Sequence, residues 1–285
     1  MSGITRAFER ARTEGRAAVI PYVMAGYPDL EGAVEVTLAL ERGGADILEV
    51  GMPFSDPLAD GPTIQRAATA SLAAGTTVAS CLGTAGRIRE QSSIPLVLMG
   101  YYNPVHRYGV EWFCRDAASA GVEGLILPDL PPEEAAEVRE VAHGQGIDLI
   151  FLLAPTSTEA RIEQAARVAG GFVYCVSLTG VTGARASVAT GLDEFVGRVR
   201  RHTNLPLAVG FGISRPEHAR QVARVADGVV VASALIDLID RTEKSERLNK
   251  VEGYIRSLRD GARKEPGAPV SAGGVELEPA DDRLG

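Results

Sequence analysis

The stretch LEVGMPFSDPLADGP, residues 48–62, joins a short apolar strand to a loop rich in proline and glycine. It places one carboxylate, Glu49, among Ile, Leu and Val residues, where burying a charge is costly unless the charge is paired or used. The segments that read as strands contain no Lys or Arg, so a structural ion pair lacks a donor there. Glu49 is therefore a candidate proton-transfer group. A structural glutamate bonded to a neighbouring tyrosine or to backbone is the alternative.

Short apolar strands followed by amphipathic helices repeat along the whole chain. The strands are continuous apolar runs, which is typical of parallel strands covered on both faces. Eight such units predict an α/β fold, a single (β/α)8 TIM barrel with extra helices. A doubly wound open sheet is the alternative, but no G-x-G-x-x-G follows the first strand. The predicted strands are 17–26, 46–51, 95–101, 123–129, 148–155, 172–178, 206–212 and 228–234.

The chain is predicted to form one domain and a tail. Residues 1–264 make up the barrel, and two helical patterns between the second and third strands predict an extra helix there. Residues 265–285 are rich in proline, glycine and acidic residues, and this composition predicts a disordered C-terminal tail.

Composition excludes several classes of protein. A net charge of −8 argues against a nucleic-acid binder. No apolar run reaches the roughly 18 residues of a membrane span, and the polar N-terminus lacks a secretory signal. Three cysteines without a CxxC pair suit a reducing cytoplasm, where we expect this protein to reside.

Two carboxylates are candidates for the chemistry. Because side chains alternate along a strand, Glu49 shares a face with Ile47 and Gly51 and is predicted to point into the barrel. Burial there should raise its pKa toward neutrality, so that it can act as both acid and base. Asp60 follows on the loop, at the end of the barrel where such enzymes place their active sites. It is either a functional group or a turn residue and helix N-cap before residue 62.

A long loop follows the sixth strand, on which Tyr174 is predicted to point inward. Thr182 and Gly183 lie at the centre of this loop, which is rich in glycine and small residues. Loops of this length are commonly lids or binding loops. A merely disordered crossover is the alternative.

The last two strands end in glycine and small residues. Phe211 and Gly212 follow the seventh strand, and Ala232, Ser233 and Ala234 follow the eighth. In TIM barrels these two loops often bind phosphate through backbone N–H groups and a helix N-terminus. The pattern predicts a phosphate site that needs no basic side chain.

The chain has only three lysines, and all of them follow the last strand: Lys244, Lys250 and Lys264. No strand lysine is therefore placed to form a Schiff base. Only His106 follows a strand on the active face, and no second histidine or acid stands at metal-ligand spacing beside it. We expect no metal. Carbon–carbon cleavage here would have to create its electron sink by protonation, and Glu49 is positioned to supply the proton.

Several long motifs resemble the tryptophan synthase alpha subunit family. The signature LEVGMPFSDPLADGPTIQ stands at residues 48–65, and PYVMAGYP, MGYYNP, PDLPPEE, YCVSLTGVTGAR and VGFGIS match further segments. Together they cover about residues 5 to 260. The resemblance implies a lyase of tryptophan biosynthesis, which reversibly cleaves indole-3-glycerol phosphate to indole and glyceraldehyde 3-phosphate by a retro-aldol reaction.

The resemblance also implies roles for the candidate residues. Glu49 would be the general acid-base that protonates indole C3, and Asp60 would hold the indole N–H and stabilise the positive charge developing there. Tyr174 would assist beside Glu49. Thr182 and its loop would close over the substrate and contact Asp60.

The phosphate positions implied by the resemblance are the backbone groups of Gly183, Gly212 and Ser233. Two residues depart from the family pattern. Ala232 stands where glycine is usual, and its methyl group is expected close to the phosphate. Tyr22 stands where phenylalanine is expected, lining the indole pocket with a hydroxyl that needs a partner.

The resemblance further implies a partner. The beta subunit binds pyridoxal phosphate and converts indole and serine to tryptophan in an α2β2 complex, whereas this chain needs no cofactor. The loop carrying Pro53 and Asp56 is a candidate contact surface. The alternatives are a free-standing indole-3-glycerol phosphate lyase, a non-catalytic scaffold subunit, and a different phosphate-binding barrel enzyme.

Overall fold

The structure is a computed structural model, which describes residues 1–176, 187–210 and 212–264, with backbone only for 187–190. The predicted tail, the centre of the predicted lid loop and Phe211 lie outside the described residues. No helix in the described ranges is long and apolar enough to cross a membrane. The strands are β1 Ala18–Met24, β2 Leu48–Gly51, β3 Leu96–Met99, β4 Val122–Ile126, β5 Asp148–Ile150, β6 Leu152–Leu153, β7 Val173–Val176, β8 Leu207–Gly210 and β9 Gly228–Val231.

Helices follow or precede these strands in the order expected of a barrel. Two of them, α3 and α4, fill the long segment between β2 and β3, which confirms the predicted extra helix; the sequence did not predict the further pair α5 and α6 after β3. The helices are α1 Gly3–Thr13, α2 Leu30–Arg42, α3 Pro62–Ala73, α4 Val78–Arg89, α5 Tyr102–Tyr108, α6 Val110–Ser119, α7 Ala136–Gly144, α8 Glu159–Val168, α9 Ser187–Arg200, α10 Pro216–Ala223, α11 Ser233–Arg241 and α12 Lys244–Gly261.

The strands form one parallel sheet that closes on itself. Its order is β5-β4-β3-β2-β1-β9-β8-β7-β6, so that the two edges are consecutive pieces of the chain. The predicted fifth strand is divided at Phe151: residues before it pair with β4, and residues after it pair with β7. β5 and β6 together occupy one strand position, so the nine strands fill the eight positions of a barrel. The predicted TIM barrel is confirmed.

The alternation of side chains divides the core into two layers. Leu48 and Val50 belong to the cluster between the barrel and its helices. Ile47 belongs to the cluster inside the barrel. Glu49 lies on the same face as Ile47 and points inward, as its position in the strand predicts.

Helix α1 covers the N-terminal end of the barrel. Ile4, Ala7, Phe8 and Ala11 recur at helical spacing and pack into the interior cluster. This spacing is a signal for a helix in the sequence, but the helix was not predicted, and the segment was described only as a polar N-terminus. With this end covered, the opposite end is left for ligands.

A buried ion pair secures the N-terminal end of the barrel. Asp46, just before β2, accepts hydrogen bonds from Arg16 Nη2 at 2.8 Å and from the Val19 N–H at 2.9 Å. Asp46 is 1% exposed and Arg16 is 5% exposed. Neutralising the Asp46 carboxylate would therefore leave the buried guanidinium with only the partly exposed Glu14, 2.7 Å from its Nε, as a counter-ion among the described residues.

We expect Asp46→Asn to lower the free energy of unfolding by about 3 kcal/mol, because it removes the buried partner of a buried guanidinium and leaves it with the partly exposed Glu14. Urea denaturation measures this change. Glu163→Gln is the matched control, because it breaks an ion pair on the surface: Glu163 is 63% exposed and its partner Arg167 is 69% exposed. This variant should lower the free energy of unfolding by less than about 0.5 kcal/mol. Similar costs for both variants would contradict the assignment.

Candidate active site

A cavity of about 1200 Å³ opens at the C-terminal ends of the strands. Its wall includes eight of the eleven site residues predicted from sequence, while Thr182, Gly183 and Phe211 lie outside the described residues. The eight are Tyr22, Glu49, Asp60, Tyr174, Gly212, Ala232, Ser233 and Ala234. Residues that are 160 or more positions apart in the chain thus share one cavity.

Glu49 is the most deeply buried ionisable group of the cavity, at 1% exposure. Its Oε2 atom has no hydrogen-bond partner among the described residues. Burial, and secondly the charge of Asp60, raise the pKa of Glu49 to about 8. A glutamate retained for structure would have its buried oxygens paired, so this environment favours a carboxyl that holds and releases a proton.

Asp60 stands at the mouth of the same cavity, directly before α3. The N-cap of α3 is Gly61, and no side chain caps the helix, so the alternative in which Asp60 caps this helix is wrong. Gln65 Nε2 instead donates to the Asp60 carbonyl at 2.9 Å.

Burial raises the pKa of Asp60 to about 6, against the lowering effect of a hydrogen bond from Tyr101. Near neutral pH the two carboxyls therefore differ in charge.

Tyr101 is a site residue that the sequence reasoning missed. Its hydroxyl accepts from the Ala59 N–H at 2.9 Å and also hydrogen-bonds to the Asp60 carboxyl. Its ring packs on Phe54, with 5.1 Å between centroids. The available signal was its place just after β3, where the active face of a barrel begins. Tyr101 thereby holds the loop that carries Asp60.

Tyr174 lies inside the barrel with Phe172, as the alternation predicts. Its ring crosses the neighbouring strand at Gly210, where a Cβ atom would overlap the phenol. Burial and the nearby Glu49 raise the pKa of Tyr174 well above its ordinary value. Tyr174 is therefore a neutral phenol beside Glu49.

Backbone groups that follow β8 and β9 form the other side of the cavity. Helix α11 begins at Ser233, and no side chain caps it. The first N–H groups of a helix have no partner within the helix and favour an anion. Gly212 lies across from them at a φ of 49°. This arrangement suits a phosphate group and needs no basic side chain.

The Ala232 side chain packs against the apolar cluster of Tyr22, Met24 and Ile64. Its methyl group thus has a core contact as well as a place in the cavity wall. The departure at Ala232 predicts an altered phosphate affinity, and this stays a prediction. Among the described residues, no group of three or more His, Cys, Asp and Glu side chains is placed to hold a metal ion.

The fold and this cavity can be compared with known proteins. The sequence profile described as Tryptophan synthase alpha chain matches residues 8–263. The chain belongs to this family. The alpha chain from Chloroflexus aggregans is 51% identical over 259 residues, which cover 90% of this chain and 97% of that protein.

Solved structures give the same family. Tryptophan synthase from Mycobacterium tuberculosis matches with a TM-score of 0.84 and 41% identity, covering 92% of this chain and 98% of that one. The alpha subunit from Legionella pneumophila matches with a TM-score of 0.85 and 37% identity, with the same coverage of both chains. The known activity of the family is the alpha reaction on indole-3-glycerol phosphate, a lyase reaction of tryptophan biosynthesis.

Proposed function

We propose that Glu49 and Asp60 divide the alpha reaction between them. The protonated Glu49 carboxyl transfers its proton to indole C3, and Asp60 accepts a hydrogen bond from the indole N–H as the ring becomes positive. The ring is then an electron sink. The observation that carries this proposal is a buried carboxyl without a partner on Oε2, in one cavity with a more acidic carboxyl.

The second half of the reaction returns the proton. Glu49, now a carboxylate, takes the proton of the side-chain hydroxyl next to the ring. The carbon–carbon bond breaks, its electron pair neutralises the ring nitrogen, and the products are indole and glyceraldehyde 3-phosphate. One residue serves as acid and then as base, which suits a carboxyl whose pKa lies near 8.

The remaining residues hold the substrate. We assign the phosphate to the backbone of Gly183, Gly212 and Ser233, supported by the uncapped start of α11. Phe211, Ala232 and Ala234 complete that end of the site in our proposal. These assignments place the phosphate and the indole at opposite walls of the cavity.

Tyr174 packs beside Glu49, and Tyr22 lines the indole pocket. Thr182 and its loop are proposed to close over the substrate. Residues 1–264 form the catalytic domain in this proposal and 265–285 a tail, which agrees with a family match that ends at residue 263.

The proposed partner is the tryptophan synthase beta subunit, in an α2β2 complex in the cytoplasm. Pyridoxal phosphate would belong to that subunit, which would consume the indole. The loop after β2 is a suitable contact surface, because Leu58 is 96% exposed between Pro53 and α3. A large exposed apolar side chain on a loop is typical of a protein interface.

Indole release from indole-3-glycerol phosphate tests the function, measured with this chain alone and with a beta subunit added. We expect release by the chain alone and a faster rate with the partner. An unchanged rate on addition of the partner would indicate a free-standing lyase instead. No release under either condition would contradict the catalytic proposal and favour a scaffold subunit.

A further inference from the structure

Tyr22 has an unusual position beside the two carboxyls. It lies on β1 in register with Glu49 on β2, and its side chain is 5% exposed. Its ring reaches forward across Gly51, where a Cβ atom would overlap the phenol oxygen. Only glycine at position 51 leaves room for this ring, so the phenol is directed toward the loop that carries Asp60.

The hydroxyl of Tyr22 lacks a strong partner. Among the described residues, its hydrogen bond goes to the Met24 thioether at 3.9 Å, and a thioether is a weak acceptor. A buried tyrosine hydroxyl usually has a hydrogen-bond partner, and an oxygen is a stronger acceptor than a thioether sulfur. The charges that act on it most are those of Asp60 and then Glu49. After burial, the Asp60 carboxylate is therefore the group that acts most strongly on this hydroxyl.

The sheet order places two tyrosines on either side of Asp60. Strand β2, which leads into the Asp60 loop, lies between β1 and β3. Tyr22 comes from β1 and Tyr101 follows β3. Tyr101 already bonds to Asp60 and to the Ala59 N–H, so the flank toward β1 is the one without a described donor.

We propose that Tyr22 is a positioning residue, whose hydroxyl donates a hydrogen bond to the ionised Asp60 carboxylate in the working enzyme. This inference rests on the proposed role of Asp60. With Tyr22 and Tyr101 as two fixed donors, the carboxylate is held in one orientation, and its remaining lone pairs face the indole N–H. Hydrogen bonds to an ionised carboxyl also favour its charged form.

The surrounding charges leave this task to the tyrosines. Arg161, the cation that the described residues contribute to the cavity wall, is 3.8 Å from Glu133. Asp237 of α11 is bound to Arg66 at 2.8 Å. The other described ionisable groups are Glu49, Glu133, Arg161, Tyr174 and Asp237 in the cavity wall, with Tyr101 bonded to Asp60 and Asp129 acting on Tyr101. Because both of these arginines have acidic partners, neutral hydroxyl groups are the candidate donors for the charge of Asp60.

The pH profile of kcat for indole release tests the inference in Tyr22→Phe. Removing the donor disfavours ionised Asp60, so the acidic limb of the profile should move up by about one pH unit. The loss of kcat should be larger at pH 6 than at pH 8, while KM changes little. Tyr254→Phe is the matched control, because the Tyr254 hydroxyl is also buried and has no hydrogen-bond partner among the described residues, and its profile should equal that of the wild type.

The Asp60→Asn variant distinguishes a failure of the proposed role of Tyr22 from a failure of the proposed role of Asp60. If this variant has no acidic limb and Tyr22→Phe leaves the limb in place, the role of Tyr22 is wrong and the proposed function stands. If the limb persists in Asp60→Asn, the assignment of Asp60 itself is wrong. In the double variant, Tyr22→Phe should cause no further change in the profile, since its effect acts through Asp60.

Discussion

Glu49→Gln is expected to abolish nearly all indole release, with kcat lowered by about 10³-fold or more. Glutamine preserves the size of the side chain but cannot give a proton to indole C3 or take one back. Both halves of the reaction depend on this carboxyl, so no other group in the cavity compensates. Single-turnover conversion of indole-3-glycerol phosphate measures the loss directly.

Binding of a non-reactive phosphate ligand should survive in this variant, because the proposed phosphate site is formed by backbone at the other wall of the cavity. Glycerol phosphate titration provides this control. Turnover above about a tenth of the wild-type rate would rule out Glu49 as the proton donor. Loss of ligand binding as well would show that the variant damages the cavity rather than the chemistry.

The stability of Glu49→Gln supplies an independent check. In the unfolded chain the carboxyl ionises near pH 4.5, and in the folded protein near pH 8. Folding therefore disfavours the ionised form, and Glu49 costs stability that increases as the pH rises from 4.5 to 8. Glutamine has no such cost. The Tm of the variant should exceed that of the wild type at pH 8, and the difference should shrink toward pH 5.

Asp60→Asn is expected to lower kcat by about 10²-fold, a smaller loss than that of Glu49→Gln. Asparagine keeps the shape of the side chain but loses the negative charge that stabilises the positive ring. The essential proton is still delivered by Glu49, so measurable turnover remains. The acidic limb of the pH profile, which reports ionisation of Asp60 near pH 6, should disappear.

Two results would contradict this assignment. A loss equal to that of Glu49→Gln would mean that Asp60 moves an essential proton. A rate close to that of the wild type would mean that Asp60 only shapes its loop. The effect on Glu49 is a further readout: without the neighbouring charge, the pKa of Glu49 should fall, and the basic limb should move to lower pH.

The sequence carried the features of this protein that depend on near neighbours in the chain. Continuous apolar runs separated by amphipathic helices predicted the parallel barrel, and alternation within β2 placed Glu49 inside it. The absence of strand lysines narrowed the chemistry to proton transfer. The predictions of the barrel and of the inward face of β2 were confirmed, because secondary-structure period involves residues a few positions apart.

Other features depend on how the barrel closes. From the sequence, Asp60 could equally be a turn residue or helix cap, and only the folded loop shows that Gly61 caps α3 and that Tyr101 bonds to Asp60. The division of the fifth strand at Phe151 follows from ring closure, since the chain pairs with β4 and then with β7. The passage of Tyr22 over Gly51 depends on the register of two strands.

Glu49 shows both contributions at once. The sequence supplies the carboxyl itself, and its position in β2 determines that it points into the barrel, because a strand turns alternate side chains to opposite faces. Its acidity was determined by tertiary structure, because burial and the charge of Asp60 act through space and arise only when the loop folds over the end of the barrel. Chain order specifies which carboxyl is available, and three-dimensional packing specifies when it holds its proton.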